Sequence, residues 1–130
     1  MNTYARQPVD PSATTAWHEI DASADQLHPD LKGWFAADPQ RAQRFTFQAG
    51  DLHVDLSKNL VTVQILEQLL HLAKELDVEG HRDDMFSGQR INVTENRSVL
   101  HTALRRPTSD VLEVEGTDVV EGVHQVLRRI

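Results

Sequence analysis

The stretch MFSGQRINVTENRSVLHTALRRP, residues 85–107, decides how this chain is read. Its first half holds Gly88, Asn92 and Asn96, residues that tolerate positive φ and tight turns, which predicts a shaped, non-repetitive loop. Its second half predicts a helix. Thr94 offers an N-cap hydroxyl, Glu95 suits the positive end, and Arg105 and Arg106 suit the negative end before Pro107 stops it. Val99, Leu100, Ala103 and Leu104 fall in one arc of that helix, with Ser98, His101, Thr102 and Arg105 in the other. Arg97 sits at the seam, where its stem packs and its guanidinium reaches a partner.

Upstream, Asn59 or Thr62 caps the strongest helix of the chain, which runs to about Val78 and stops near Gly80. Its apolar arc of Val61, Ile65, Leu66, Leu69, Leu72, Ala73 and Leu76, widened by Val63 and Leu70, predicts a central helix with several neighbours. Before it, Phe45, Phe47 and Ala49 alternate with Thr46 and Gln48. Leu52, Val54 and Leu56 alternate with His53 and Asp55, and Gly50-Asp51 lies between the two runs, the pattern of a β-hairpin. Two strands are marginal in water, so the hairpin needs a cover for its apolar face. Leu31, Trp34 and Phe35 predict a short helical turn, and Asp38-Pro39 opens another through Arg41. A helix from Thr14 or Thr15 places Ala16, Trp17, Ile20, Ala24 and Leu27 on one face, until His28 and Pro29 close it. Residues 1–13, with Pro8 and Pro11 and no periodicity, read as a flexible tail.

Downstream, Leu112 and Val114 alternate with Glu113 and Glu115 in a weak strand ending at Gly116. A last helix starts near Thr117 or Asp118, with Asp118 and Glu121 in capping-box spacing. Its stripe of Val119, Val120, Val123, Val126, Leu127 and Ile130 has no Gly or Pro after it. Such a helix reads either as part of a continuing chain or as a docked C-terminal helix. The fold class that follows is α+β, mostly helical with one β-hairpin.

Composition narrows function. At 130 residues the chain fits one ordinary domain. Thirteen Lys and Arg against 20 Asp and Glu leave a net charge of -7, which argues against a general nucleic-acid or anionic-membrane binder. The absence of cysteine excludes disulfides, thiol nucleophiles and thiolate zinc sites. No apolar run approaches a membrane span and MNTYARQPVD is no secretory signal, so the cytoplasm is the expected compartment. Sequons at Asn92 and Asn96 then carry no weight.

Several residue groups contain letters of chemistry. Glu67, His71 and Glu75 recur every four residues on the central helix and present three metal ligands in a row, yet one straight helix does not wrap an ion, and a solvated polar face is the simpler reading. His81, Asp83, Asp84 and Ser87 hold the residue types of a nucleophile triad without the elbow that exposes a serine. Ser87-Gly88 and Thr94, with Arg82, Arg90, Arg97, Arg105 and Arg106, make residues 81–106 a locally basic segment with donors for an anion, although arginines at helix ends and loop seams are more often structural. His101 reads as a boundary histidine rather than an acid or base. No catalytic, substrate-binding, cofactor or metal residue is assigned.

The stretch 85–107 resembles the glucose-6-phosphate isomerase family, whose pattern there runs Met-Phe-x-Gly-x-x-Ile-Asn-x-Thr-Glu-x-Arg-x-Val-Leu-His-x-Ala-Leu-Arg. Met85, Phe86, Gly88, Ile91, Asn92, Thr94, Glu95, Arg97, Val99, Leu100, His101, Ala103, Leu104 and Arg105 all fit. The likeness extends to Asp55-x-Ser57-Lys58-Asn59-Leu60 and Phe35-Ala36-x-Asp38-Pro39-x-Arg41. Asn96 stands where the family often has Gly or Asp, and Arg90 where it often has Lys. The resemblance implies that residues 14–130 are the N-terminal segment of a much longer, cytoplasmic homodimer with two sugar-isomerase-type α/β domains. That parent interconverts glucose 6-phosphate and fructose 6-phosphate through an enediolate, without metal or cofactor, in glycolysis and gluconeogenesis. It also implies that the phosphate cradle and the catalytic residues lie downstream of this chain, leaving Gly88, Arg97 and His101 as scaffold. The alternative expectation is a stand-alone helical binding or regulatory module that keeps this region without its catalysis.

Overall fold

The computed structural model describes residues 6–130, so the expected tail lies, for residues 1–5, outside the described residues. The fold is α+β and mostly helical. A 3-10 turn, Pro11–Ala13, leads to α1 (Thr15–Asp25), α2 (Leu31–Ala37) and α3 (Arg41–Arg44). Strands β1 (Thr46–Ala49) and β2 (Leu52–Asp55) follow, then α4 (Val63–Glu75) and α5 (Val78–Phe86). A 3-10 helix, His101–Arg105, precedes β3 (Glu113–Val114), β4 (Thr117–Asp118) and α6 (Val119–Leu127). Where length suggested one domain, the described residues form two compact units, Asp10–Leu72 and Ala73–Ile130 with residues 6–9, the division falling inside α4.

In the first unit the Thr14 cap sits where the sequence placed it, but the expected start at Asp38-Pro39 does not: α3 begins at Arg41 with Gln40 before it and no side-chain cap bond, and Asp38 instead accepts from Gln40 N–H at 3.0 Å. The Thr14 hydroxyl accepts from Trp17 N–H at 3.2 Å. Asp30 accepts from Gly33 N–H at 2.9 Å, and Thr62, rather than Asn59, accepts from Ile65 N–H at 3.2 Å to start α4. The hairpin pairs Phe47 with Val54 and Ala49 with Leu52 around Gly50-Asp51, with Gly50 at φ 59°. The buried residue that binds these pieces is Arg41, 4% exposed. Its Nε donates to Ser57 O at 2.9 Å, and its Nη2 donates to Asn59 O at 3.1 Å and Val61 O at 2.9 Å. The guanidinium also lies 4.5 Å from the Phe45 ring centre, 5.0 Å from Trp34 and 5.7 Å from Phe35. Three carbonyls and three ring faces thus replace the water a buried cation loses.

α4 carries no buried residue, against the expectation of a central helix. Leu69 and Leu70 are exposed. Its polar tie to α1 is Gln68 Nε2 donating to Ser23 Oγ at 2.9 Å.

The second unit holds three corrections. The strong helix was expected to reach Val78 and stop near Gly80, but it ends at Glu75, and an unexpected helix, α5, takes Gly80 into its first turn. Asp77, at φ 48°, is left-handed and cannot continue a helix, while its carboxylate accepts from Gly80 N–H at 3.2 Å and caps the next one.

The helix expected from Thr94 to Arg106 is a 3-10 helix over His101–Arg105 alone. Asn92 and Arg97 exchange both backbone hydrogen bonds at 3.1 Å, closing a tight turn with Asn96 at φ 51°. The Asn92 carboxamide oxygen accepts from Thr94 Oγ1 at 2.8 Å and Glu95 N–H at 3.3 Å, so the helix signals serve a turn instead. At the last helix, Asp118 does cap, accepting from Val120 N–H at 3.0 Å. Glu121, however, accepts from Gln125 and Arg128 rather than closing a capping box.

The weak strand at Glu113–Val114 pairs with β4 through Glu115 and Gly116, both at positive φ, adding a second small ladder to the one expected hairpin. The core of this unit is Ala103, Leu112 and Val120, flanked by Leu100, Val114, Val119 and Val123. Asp118 ties it together, taking Leu112 N–H at 3.2 Å on the oxygen that caps α6. Within the expected tail, Arg6 is anchored. Its backbone N–H and its Nη1 donate to Asp84 at 3.0 and 2.6 Å, and its Nε lies 2.6 Å from Asp77.

Arg41→Ala is expected to cost about 3–5 kcal/mol in urea denaturation, since it orphans three carbonyls, and Arg41→Lys about 1–3 kcal/mol, because one ammonium cannot span them. A loss for Arg41→Ala under about 1 kcal/mol would remove the cradle from the account. Gly88→Ala is expected to destabilise by about 1–3 kcal/mol: φ is 77° and a Cβ would lie 2.6 Å from Val114 Cγ2. An unchanged melting curve would contradict it. The Arg6 backbone N–H is the main cause holding the Asp84 carboxyl below the ordinary carboxylate range, so its stabilisation is full above about pH 4 and fades as pH falls through the lowered value. Asp84→Asn should therefore lower the urea midpoint at pH 7 and lose its effect near pH 2. A deficit that is equal at both pH values would rule this out.

Candidate functional site

Residues 81–106 were the best candidate for an anion or nucleophile site, and α5 with the loop after it places them. Ser87 Oγ donates to the carbonyl of Asp84 at 3.1 Å, one turn back in its own helix, rather than to an imidazole. The two carboxylates of the supposed triad are engaged by cations. Arg82 donates to Asp83 at 2.9 Å, and Asp84 takes Arg6. His81 begins near Asp77, whose carbonyl accepts its N–H at 3.0 Å. Nucleophile, base and orienting acid are therefore not joined, and no activated hydroxyl results.

Four of the five arginines of this segment have partners of their own, in keeping with the structural reading. Arg90 pairs with Glu115 through Nε at 2.9 Å and through Nη2. Arg97 Nη1 lies 3.8 Å from Glu95, and Arg106 Nη2 donates to Phe86 O at 2.6 Å. Hydrogen bonding to Asp83 raises the Arg82 pKa further, as expected for a guanidinium held by a carboxylate. The hydroxyls are turned inward as well: Ser98 Oγ donates to Gly88 O at 2.7 Å and Thr94 to Asn92. An anion site needs several donors aimed at one point, and here donors and acceptors meet pairwise. Arg105 and His101 are exposed on the 3-10 helix. His101 had been read as a boundary histidine; it sits in solvent.

On α4, His71 Nδ1 lies 3.9 Å from Glu19 of α1, both half-exposed. Among the described residues no three His, Cys, Asp or Glu are grouped to hold a metal, so Glu67, His71 and Glu75 do not form a shared ligand set there. No helix among the described residues is long and apolar enough to cross a membrane.

Two positions that matter were not singled out by residue-type reasoning. Arg41 had been noted only as part of a motif, although its neighbours Trp34, Phe35 and Phe45 were a visible sign of an aromatic cage. His124 had no signal in sequence. It fastens α6 to the end of the stretch, its Nε2 lying 3.0 Å from Arg106 O. Both residues act on the fold.

Comparison with known proteins accounts for this arrangement. The family model described as Phosphoglucose isomerase matches residues 55–130, more than half the chain. Glucose-6-phosphate isomerase 1 of Streptomyces avermitilis is 53% identical over 116 residues, 88% of this chain and 21% of that protein. Glucose-6-phosphate isomerase 3 of Rhodococcus jostii is 48% identical over 118 residues, 90% of this chain and 22% of that protein. Glucose-6-phosphate isomerase 2 of Chromobacterium violaceum is 45% identical over 129 residues, 97% of this chain and 23% of that protein. The chain spans about a fifth of the length of the curated relatives it matches. With residues 85–107 inside a match that covers more than half of the chain, the chain belongs to the phosphoglucose isomerase family.

Proposed function

We propose that this chain is the N-terminal region of a glucose-6-phosphate isomerase and serves as scaffold for an active site whose reacting groups lie in the rest of the isomerase chain. The parent would act on a phosphorylated sugar, interconverting glucose 6-phosphate and fructose 6-phosphate as a cytoplasmic homodimer in glycolysis and gluconeogenesis. Residues 14–130 form the region concerned, and residues 1–13 lead into it.

The isomerisation needs a base poised near neutral pH to move a proton between C1 and C2. It also needs a cation beside the developing enediolate and donors for the phosphate. The observation that carries the reading is the family match over residues 55–130, together with the pairwise ties among the polar side chains of residues 81–106. The carboxylates whose pKa is displaced are all displaced downward, by hydrogen bonds. Ser12 holds Asp10, Ser57 holds Asp55, the Arg6 backbone holds Asp84, and Gln125 with Arg128 holds Glu121. Arg6, Arg82, Arg90 and Arg128 are held by carboxylates and Arg106 by a carbonyl.

Purified chain 1–130 is therefore expected to give no conversion of fructose 6-phosphate to glucose 6-phosphate above background when coupled to glucose-6-phosphate dehydrogenase. Robust, enzyme-proportional turnover would sink the scaffold reading and require a base within these residues.

A further inference from the structure

Within its own unit the β1–β2 hairpin carries an apolar face. The register sets Phe47 opposite Val54 and Ala49 opposite Leu52, so these four side chains share one side of the ribbon, and Phe45 extends that side at its base. Thr46, Gln48, His53 and Asp55 take the other side. Exposure along the apolar side rises from base to tip: Phe45 is 3% exposed, Phe47 51% and Leu52 68%. The face thus starts inside the Arg41 cluster and runs out into solvent. A two-stranded ribbon is marginal in water, and strict segregation of apolar from polar residues along it is the pattern of a face built to be covered.

A second copy is a poor cover, since each chain carries a net charge of -7 and Asp51 stands at the hairpin tip. The relatives offer a better one: they are four to five times as long as the part this chain matches, at 21–23% coverage. We propose that the Phe47, Ala49, Leu52 and Val54 face is the seat on which the rest of the isomerase chain packs, an uncharged apolar patch from beyond the matched region covering the hairpin within one polypeptide. This rests on the reading that the chain is the N-terminal region of an isomerase.

The test replaces the matching fifth of Streptomyces avermitilis glucose-6-phosphate isomerase 1 with residues 1–130 and compares Phe47→Glu/Leu52→Glu in that chimera and in chain 1–130. In chain 1–130 the pair should leave the urea midpoint nearly unchanged, because both side chains are already exposed. In the chimera it should shorten the half-life of isomerase activity at elevated temperature by about tenfold or more. Gln48→Glu/His53→Glu on the polar side should stay within about twofold. Phe47→Ala/Leu52→Ala supplies a graded version should the glutamates prevent folding. An active chimera indifferent to both apolar-face pairs, or equally sensitive on both faces, overturns this proposal and leaves the isomerase reading standing. A chimera with the unaltered hairpin that shows no isomerase activity overturns both.

Discussion

The burial of Arg41 is the constraint on which the first unit depends. A guanidinium that is 4% exposed and has no carboxylate partner must find its compensation in neutral groups, and it does so by recruiting three carbonyls from one short loop. That requirement explains the loop's composition better than any catalytic role. Asp55 accepts from Ser57 N–H at 2.8 Å, which turns the chain so that Ser57 O faces Nε. Ser57 is itself 1% exposed, so there is no room for a larger side chain without displacing the loop. Thr62 then caps α4 immediately after Val61 has delivered the last carbonyl. The end of the hairpin, the loop and the start of α4 are thus fixed by one side chain from α3, and the aromatic rings on its faces come from α2 and the residue before β1.

Where the sequence was legible, two local signals agreed. α1 and α6 each combined an apolar stripe with a side-chain cap, and the hairpin combined period-two alternation with Gly50-Asp51 at the turn. Where it misled, one strong signal had a local competitor. Gly80 reads as a helix stop, but the break fell three residues earlier because Asp77 accepts a left-handed backbone and gains a cap bond. Thr94, Glu95, Arg105 and Arg106 are sound helix-end residues, yet Asn92 offers the backbone a closed turn with hydrogen bonds to Thr94 and Glu95. Weighing these options needs the partner strand residue Arg97 in place, which is tertiary information.

The candidate sites failed for a related reason. A run of Arg, His, Asp and Ser shows which groups exist, but not whether they converge. The neutralising partners came from far along the chain: Glu115 for Arg90, Arg6 for Asp84, Phe86 O for Arg106. Most of these pairs are exposed and contribute little to stability. Their effect is to occupy the donors, so that a segment that looked locally basic presents no unopposed cluster. Within residues 85–107, Val114 leaves no room for a side chain at Gly88, whose carbonyl is taken by Ser98.

Polar and apolar groups fare differently within these 125 described residues. Among them, only Gln68 Oε1 and Thr102 Oγ1 are buried side-chain polar atoms without a partner. By contrast, α4 has no buried residue, and Phe47, Leu52, Leu69, Leu70, Val126 and Leu127 are all at least two-fifths exposed. Hydrogen bonds are local and can be completed by short loops and caps, whereas covering an apolar face takes a second layer. A region that meets its polar requirements by itself but leaves amphipathic faces open has the balance expected of one layer of a larger body. The hairpin is the clearest case, because its buried base and bare tip belong to the same face.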